Sequence, residues 1–129
     1  MRKYRSNDSL VYFARYRWYL KMLNAKRAEY SKILSDIHSG MISRDTLDPF
    51  WKERIKADMK YLRGKLRDIE FTADSLPDTP ELMPCKLFIR LYFILGLSLS
   101  QTAEKMNVSL STVRRVKERT AEYFDKVTN

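Results

Sequence analysis

The sequence predicts an all-α fold, with a long antiparallel helical hairpin at the amino end followed by a helix-turn-helix module at the carboxyl end. Apolar residues recur every three or four residues over two long stretches, as they do along one face of a helix. The three Gly and four Pro of the 129 residues mostly lie where these patterns stop. No stretch alternates apolar and polar residues in the manner of a half-buried strand.

Length and composition restrict the class of protein. A chain of 129 residues holds one domain or two small modules, which excludes a large multi-domain enzyme. Hydrophobic residues make up 44% of the chain, enough to form a core. Cys85 and His38 are the single cysteine and histidine, so neither an internal disulfide nor a Cys/His zinc site can form. We expect a reducing, cytoplasmic setting and no cofactor.

The charge indicates an anionic partner. Against 16 Asp and Glu the chain has 25 Lys and Arg, a net charge of +9, and such an excess is most often found in nucleic-acid-binding proteins, although basic membrane-surface proteins share it. The longest apolar run, residues 86–97, is shorter than the ~20 residues of a membrane-spanning helix and contains Arg90. We therefore expect no membrane partner, and the first residues lack the pattern of a secretory signal.

The first helix is predicted over residues 9–37, ending at His38, Ser39 and Gly40, because Gly readily takes the left-handed conformation that ends helices. Its seam has alternating spacings of four and three residues, interrupted by one charged residue. The seam consists of Tyr16, Leu20, Leu23, Arg27, Tyr30, Leu34 and Ile37.

The second helix is predicted to start at Asp48 and Pro49, since Asp accepts free amide hydrogens at a helix start and Pro lacks the one that would be orphaned. Its seam has the same spacing: Ile55, Met59, Leu62, Leu66, Ile69, Ala73 and Leu76. Two helices of roughly 40 Å joined by a short loop form an antiparallel hairpin. These seams serve as a packed core, or additionally as a coiled-coil contact for dimerisation.

Three prolines, Pro77, Pro80 and Pro84, mark a boundary, because the residue before each is pushed away from helical geometry. We predict a hairpin over residues 1–76, a Pro-rich linker over 77–84 and a DNA-binding module over 85–129. Within this module, helices are expected at residues 85–95, 100–106 and 109–127.

Residues 96–116 have the pattern of a helix-turn-helix. Ala103 is small enough for two helices to cross closely, and Asn107 lies in the turn, where a positive φ is needed. Ser109 is expected to cap the following helix. Three apolar side chains are expected to form the wedge between the helices: Met106, Val108 and Val113. Such a unit can lay its second helix in the major groove of duplex DNA.

This stretch resembles the −35-reading region 4 of bacterial sigma factors and the related phage-encoded regulators of late genes. The matching positions are Gly96, Leu97 and Ser98, then Ala103 and Glu104, then Asn107, Val108 and Ser109, then Thr112, Val113 and Arg114. The resemblance implies DNA binding in transcription. Thr102 stands where the family usually has an aliphatic residue and Asn107 replaces a Gly, so we expect looser packing of the first helix and a slightly strained turn. The chain lacks room for the other regions of a full sigma factor.

The predicted DNA-binding residues lie on the helix over residues 109–127. They are Ser109, Leu110, Ser111, Thr112, Arg114, Arg115, Lys117, Glu118 and Arg119. Hydroxyl and free amide groups at a helix start can bind phosphate oxygens, and an arginine can hold both acceptors of a guanine. The alternative is a solvated charged face, in which Glu118 and Glu122 pair with the arginines.

Residues 1–32 contain nine Lys and Arg against Asp8 and Glu29, so most of the net charge lies there. Aromatic residues are interleaved with these charges: Tyr4, Tyr12, Phe13, Tyr16, Trp18 and Tyr19. This segment is expected to bind phosphate groups, to dock on an acidic surface of RNA polymerase, or to pack its aromatic side chains against the carboxyl-terminal module.

Taken together, these features predict a phage or prophage transcription regulator that binds double-stranded DNA. RNA polymerase and a second copy of the chain, through the hairpin, are further candidate partners. Two alternatives are a DNA-packaging protein like a small terminase subunit and a protein-binding inhibitor built on a degenerate helix-turn-helix. An enzyme is not expected, because the chain has no phosphate-binding Gly loop and no histidine partner for Cys85.

Overall fold

The fold was analysed in a computed structural model that describes the backbone of residues 3–128 and the side chains of residues 9–127. All regular structure in this range is helical. Helix α1 spans Lys3–His38 and α2 spans Trp51–Asp74, joined by a loop with one 3-10 turn at Arg44–Thr46. Helix α3 spans Met83–Phe88 and continues into a π-helical segment, Ile89–Ile94; α4 spans Leu99–Met106 and α5 spans Leu110–Thr128. The predicted all-α hairpin and helix-turn-helix are confirmed.

The start of α2 follows from the side chain predicted to cap it. Asp48 Oδ1 accepts a hydrogen bond from the Phe50 N–H at 3.1 Å, and the Asp48 carbonyl accepts one from the Trp51 N–H at 3.0 Å. Asp48 also pairs with Arg54 at 2.6 Å. The helix itself begins at Trp51, slightly later than predicted, because Asp48 and Pro49 form the turn that leads into it.

The apolar seam predicted for the second helix is largely buried: Ile55, Leu62, Leu66, Ile69, Ala73 and Leu76 are all in the core, and Met59 is half-buried. Leu76 lies beyond the end of α2 at Asp74. The seam predicted on α1 is less complete. Tyr16 and Leu23 are buried, whereas Leu34 is 39% exposed and Arg27 is exposed. The seam of α1 therefore buries fewer of its predicted members than that of α2.

The chain divides into two compact units, one formed by residues 18–67 and the other by the residues up to Arg17 together with those from Asp68 onward. The unit of residues 18–67 contains residues 18–38 of α1 and 51–67 of α2 with their connecting loop. Within it, the rings of Tyr30 and Trp51 lie 5.6 Å apart, and Lys26 Nζ lies 3.2 Å from a carboxylate oxygen of Asp58.

The other unit contains the helix-turn-helix and has an aromatic core. Phe13 of α1, 1% exposed, has its ring centre 4.9 Å from that of Phe124 in α5 and 5.8 Å from that of Phe93 in the π-helical segment. Phe88 and Ile89 are completely buried in the same unit. For Phe13, the predicted packing of amino-terminal aromatics against the carboxyl-terminal module is therefore confirmed.

Two tyrosines of α1 also join this unit. The Tyr12 hydroxyl lies 3.1 Å from Thr72 Oγ1. The Tyr16 hydroxyl donates to the carboxylate of Glu70, and burial, followed by this hydrogen bond, raises the pKa of Tyr16 to about 12. Trp18 is by contrast 57% exposed. Tyr4 and the charged side chains before Ser9 lie outside the described side chains.

The Pro-rich segment ends earlier than predicted, because α3 begins at Met83 and includes Pro84 in its first turn, where proline is tolerated. Two ion pairs attach this part of the chain to its surroundings: Lys86 to Asp78 at 2.9 Å and Arg90 to Asp74 at 2.7 Å. The single apolar helix predicted over residues 85–95 is an α-helix followed by a π-helical segment. Within the described residues, no helix combines the length and apolar character needed to cross a membrane.

Candidate nucleic-acid interface

The first helix of the motif, α4, begins at a capping box. Ser98 Oγ accepts from the Gln101 N–H at 3.1 Å, and the Gln101 side-chain oxygen accepts from the Ser98 N–H at 2.9 Å. The preceding Gly96 has a φ of +78°, which glycine adopts without strain. The chain therefore turns into α4 at Gly96, Leu97 and Ser98, the first of the matching positions named above.

The turn between α4 and α5 depends on Asn107, which has φ 60° and ψ 45°, the left-handed conformation predicted for it. The Val108 N–H donates to the Ala103 carbonyl at 3.0 Å, and the Asn107 N–H donates to that of Glu104 at 3.1 Å. These bonds satisfy carbonyl groups at the end of α4.

We expect Asn107→Val to lower the free energy of unfolding by about 1 to 2 kcal/mol, since a β-branched residue is strained at positive φ. Asn107→Gly should be neutral or slightly stabilising. Urea denaturation followed by circular dichroism measures both. Lys105→Val, on the exposed side of α4, is the control for helix propensity alone. Equal losses for valine and glycine at position 107 would show that the asparagine side chain, and not its backbone conformation, matters.

The two helices cross at small and apolar side chains. Ala103 is 5% exposed and Val113 is fully buried, as predicted. Thr102 is also fully buried, and its hydroxyl donates to the Ser98 carbonyl at 2.8 Å. The hydroxyl of Thr102 therefore has an acceptor at the start of its own helix, and looser packing at this position stays a prediction.

Val108 does not belong to the wedge, contrary to the prediction. It is 37% exposed and lies with Met83, Leu87 and half-buried Met106 along an apolar surface. Because Asn107 has a positive φ, the chain changes direction there. The Val108 side chain therefore lies outside the crossing of α4 and α5, where Val113 is buried.

Helix α5 begins with the predicted cap, since Ser109 Oγ accepts from the Thr112 N–H at 3.2 Å. The hydroxyl oxygens of Ser111 and Thr112 lie 3.1 and 2.9 Å from Ser109 Oγ. Ser109 thus binds the first turn of α5, and both Ser109 and Ser111 are exposed.

One face of α5 is anchored in the core. Val113, Val116 and Thr120 are at most 5% exposed, because their spacing of three and four residues places them on one side of the helix. The Thr120 hydroxyl donates to the Val116 carbonyl at 2.7 Å, and the buried Cys85 thiol donates to the same carbonyl at 3.9 Å. Burial of this face fixes which side chains of α5 point outward.

The outward face carries most of the predicted DNA-binding residues. Exposed side chains are Ser109, Ser111, Arg114, Arg115, Glu118 and Arg119, while Leu110, Thr112 and Lys117 are half-buried. Arg115 donates to Thr112 Oγ1 at 3.3 Å, and Lys117 Nζ lies 5.5 Å from the centre of the Tyr92 ring. Within the described part of the chain, no ion pair joins Glu118 or Glu122 to the arginines of this helix.

A cleft of about 770 Å³ borders this face. Arg17 of α1 and Arg114 of α5 both line it, together with Ser98, Ser100 and Gln101 around the start of α4. Sequence reasoning included Arg17 only in the charge of the first 32 residues. Nothing local to the sequence indicates that Arg17 lies beside the motif, because its neighbours there are about 80 or more residues away in the chain.

Comparison with known families matches residues 86–122 to the family described as Sigma-70, region 4. The matched segment is thus a region 4-like helix-turn-helix that runs from the end of α3 through the π-helical segment and α4 into most of α5. This family implies DNA binding in transcription, and its domains are non-catalytic DNA-binding modules. No curated protein and no solved structure matches the chain. Among the described residues, no cluster of His, Cys, Asp or Glu could hold a metal ion.

Proposed function

We propose that the protein is a sequence-specific transcription regulator that reads double-stranded DNA by laying α5 in the major groove. The observation that carries this proposal is the orientation of α5, whose Val113, Val116 and Thr120 are buried while Arg114, Arg115 and Arg119 are exposed without a described carboxylate partner. A helix held by one face and cationic on the other meets the geometric requirement for groove reading. The match of this segment to sigma region 4 supports the same function.

Each candidate residue is assigned a role. Arg114 and Arg115 contact base edges, where a guanidinium can donate to both acceptors of a guanine. Ser111, Thr112 and the first backbone amides of α5 contact phosphate oxygens, and Ser109 orders these groups as the cap. Leu110 and Glu118 flank the base contacts. Arg119 and Lys117 contribute phosphate contacts, that of Lys117 being weaker because it also faces Tyr92.

The remaining assignments rest on sequence patterns. RNA polymerase is the second partner we propose, since region 4 belongs to the transcription machinery. The hairpin seams suit pairing with a second copy of the chain. A cytoplasmic location follows from binding DNA and polymerase, and a phage or prophage origin rests on the resemblance of the motif.

Selection of bound duplexes from a random pool tests the proposal. At about 150 mM salt, where non-specific phosphate attraction is weakened, we expect one duplex sequence to be enriched. The mass of the protein in solution provides a second measurement, since a monomer or dimer fits a regulator. Absence of any enriched sequence would contradict the proposal, and a closed ring of subunits would favour a packaging component instead.

A further inference from the structure

The cleft beside α5 places a cation of the amino-terminal helix next to the proposed reading residues. Arg17 lies in α1, far outside the matched segment of residues 86–122. It nevertheless lines the same cleft as Arg114. Both side chains are exposed, and none of the described residues that line the cleft is acidic. The cleft is therefore a cationic surface continuous with the outward face of α5.

Two contacts at and just after the end of the π-helical segment hold Arg17 in place. Its Nη1 donates to the Ile94 carbonyl at 3.0 Å. Its guanidinium lies against Gly96, where an added Cβ would be 2.9 Å from Nε and 3.0 Å from Cζ. The absence of a side chain at Gly96 thus leaves the space that the guanidinium occupies. A fixed guanidinium loses little conformational entropy when it binds a ligand.

The hydrogen bond to the Ile94 carbonyl uses only part of the donor capacity of the Arg17 guanidinium. A guanidinium carries five N–H donors, and the bond to Ile94 uses one of them. Within the described side chains no carboxylate pairs with Arg17. The remaining donors and the full positive charge are available at the cleft, where a planar guanidinium suits a phosphate group.

We infer that Arg17 binds a phosphate of the DNA backbone next to the bases read by α5, so that α1 and the helix-turn-helix hold one duplex together. This inference rests on the proposed function and adds to it a contact from outside the region 4 segment. Ser100 and Gln101 of α4 line the same cleft and supply further polar groups for the backbone. Arg17 adds affinity for DNA of any sequence, because phosphate contacts carry no base information.

The test measures the affinity of the full chain for the selected duplex and for an unrelated duplex of equal length over a range of salt concentrations. Arg17→Gln should weaken binding to both duplexes by a similar factor, about 3- to 10-fold, and should reduce the slope of log affinity against log salt by about 0.9. Arg17→Lys keeps the charge and should keep the slope. Arg15→Gln, an exposed arginine of α1 that does not line the cleft, is the matched control and should change neither.

A second measurement separates a phosphate contact from an effect on folding. Duplexes in which single phosphates are replaced by uncharged methylphosphonates should identify one backbone position where the wild type loses affinity and Arg17→Gln loses nothing further. If Arg17→Gln does not fold, Arg17→Lys is measured in the same scan. Because lysine lacks the paired N–H donors of a guanidinium, the methylphosphonate at that position should reduce the affinity of Arg17→Lys less than that of the wild type.

The outcomes distinguish this inference from the proposed function. A wild type that prefers one duplex, with a salt slope unchanged by Arg17→Gln or changed equally by Arg15→Gln, would overturn the role of Arg17 and leave sequence reading by α5 intact. A wild type that prefers no duplex would overturn the proposed function itself. A reduced slope together with loss of sensitivity at one phosphate would support both.

Discussion

Phe13→Ala is expected to lower the free energy of unfolding by about 3 to 5 kcal/mol, the usual cost of truncating a buried phenylalanine. The Phe13 ring is 1% exposed and contacts both Phe93 and Phe124. Removing it leaves a cavity between α1, the π-helical segment and α5. Because a small domain is stable by only about 5 to 15 kcal/mol, this loss removes a large share of the total stability. Urea denaturation monitored by circular dichroism measures the change.

Val11→Ala is the matched control, because Val11 lies on the same helix and is 47% exposed. A surface substitution of this kind usually changes the free energy of unfolding by no more than about 0.5 kcal/mol. Similar small losses for both variants would contradict the packing of Phe13 into the unit that contains the helix-turn-helix. The identity of the contacting rings can be tested separately with Phe124→Leu, which should cost less than Phe13→Ala since most of the volume is retained.

The sequence predicted the features that depend on neighbouring residues. The cap by Ser109, the left-handed turn at Asn107 and the start of α2 near Asp48 each involve residues within a few positions of one another. Such local rules do not require knowledge of the tertiary fold. The seam of α2 could be predicted for a similar reason, because helical periodicity states which side chains share a face.

Features that depend on distant residues could not be predicted in this way. Periodicity identifies the buried face of a helix but not its partner, so the sequence leaves packing against the carboxyl-terminal module as one of three alternatives for Phe13 and the aromatic residues around it. Val108 was assigned to the wedge from its position in the motif, although the turn at Asn107 directs it outward. Arg17 and Ile94 are 77 residues apart, and no local pattern connects them.

Replacing Arg114 or Arg115 by alanine is expected to reduce discrimination between the selected duplex and one with an altered base pair by about 5- to 150-fold, which corresponds to the ~1 to 3 kcal/mol of a bidentate guanine contact. Both side chains are exposed on α5, and the helix is anchored by Val113 and Val116 on its other face. Stability should change little, because neither arginine has a described carboxylate partner. The measurement compares dissociation constants for the selected duplex and for single-base variants of it.

The decisive quantity is the ratio of these constants, since removal of any cation weakens binding to DNA of every sequence. Lys105→Ala, which removes an exposed charge from α4, is the control for net charge and should leave the ratio unchanged. Base reading predicts that each arginine variant loses discrimination at one position of the site and keeps it elsewhere. If Arg114→Ala and Arg115→Ala instead weaken every duplex by the same factor, these arginines contact phosphates, and α5 does not read sequence through them.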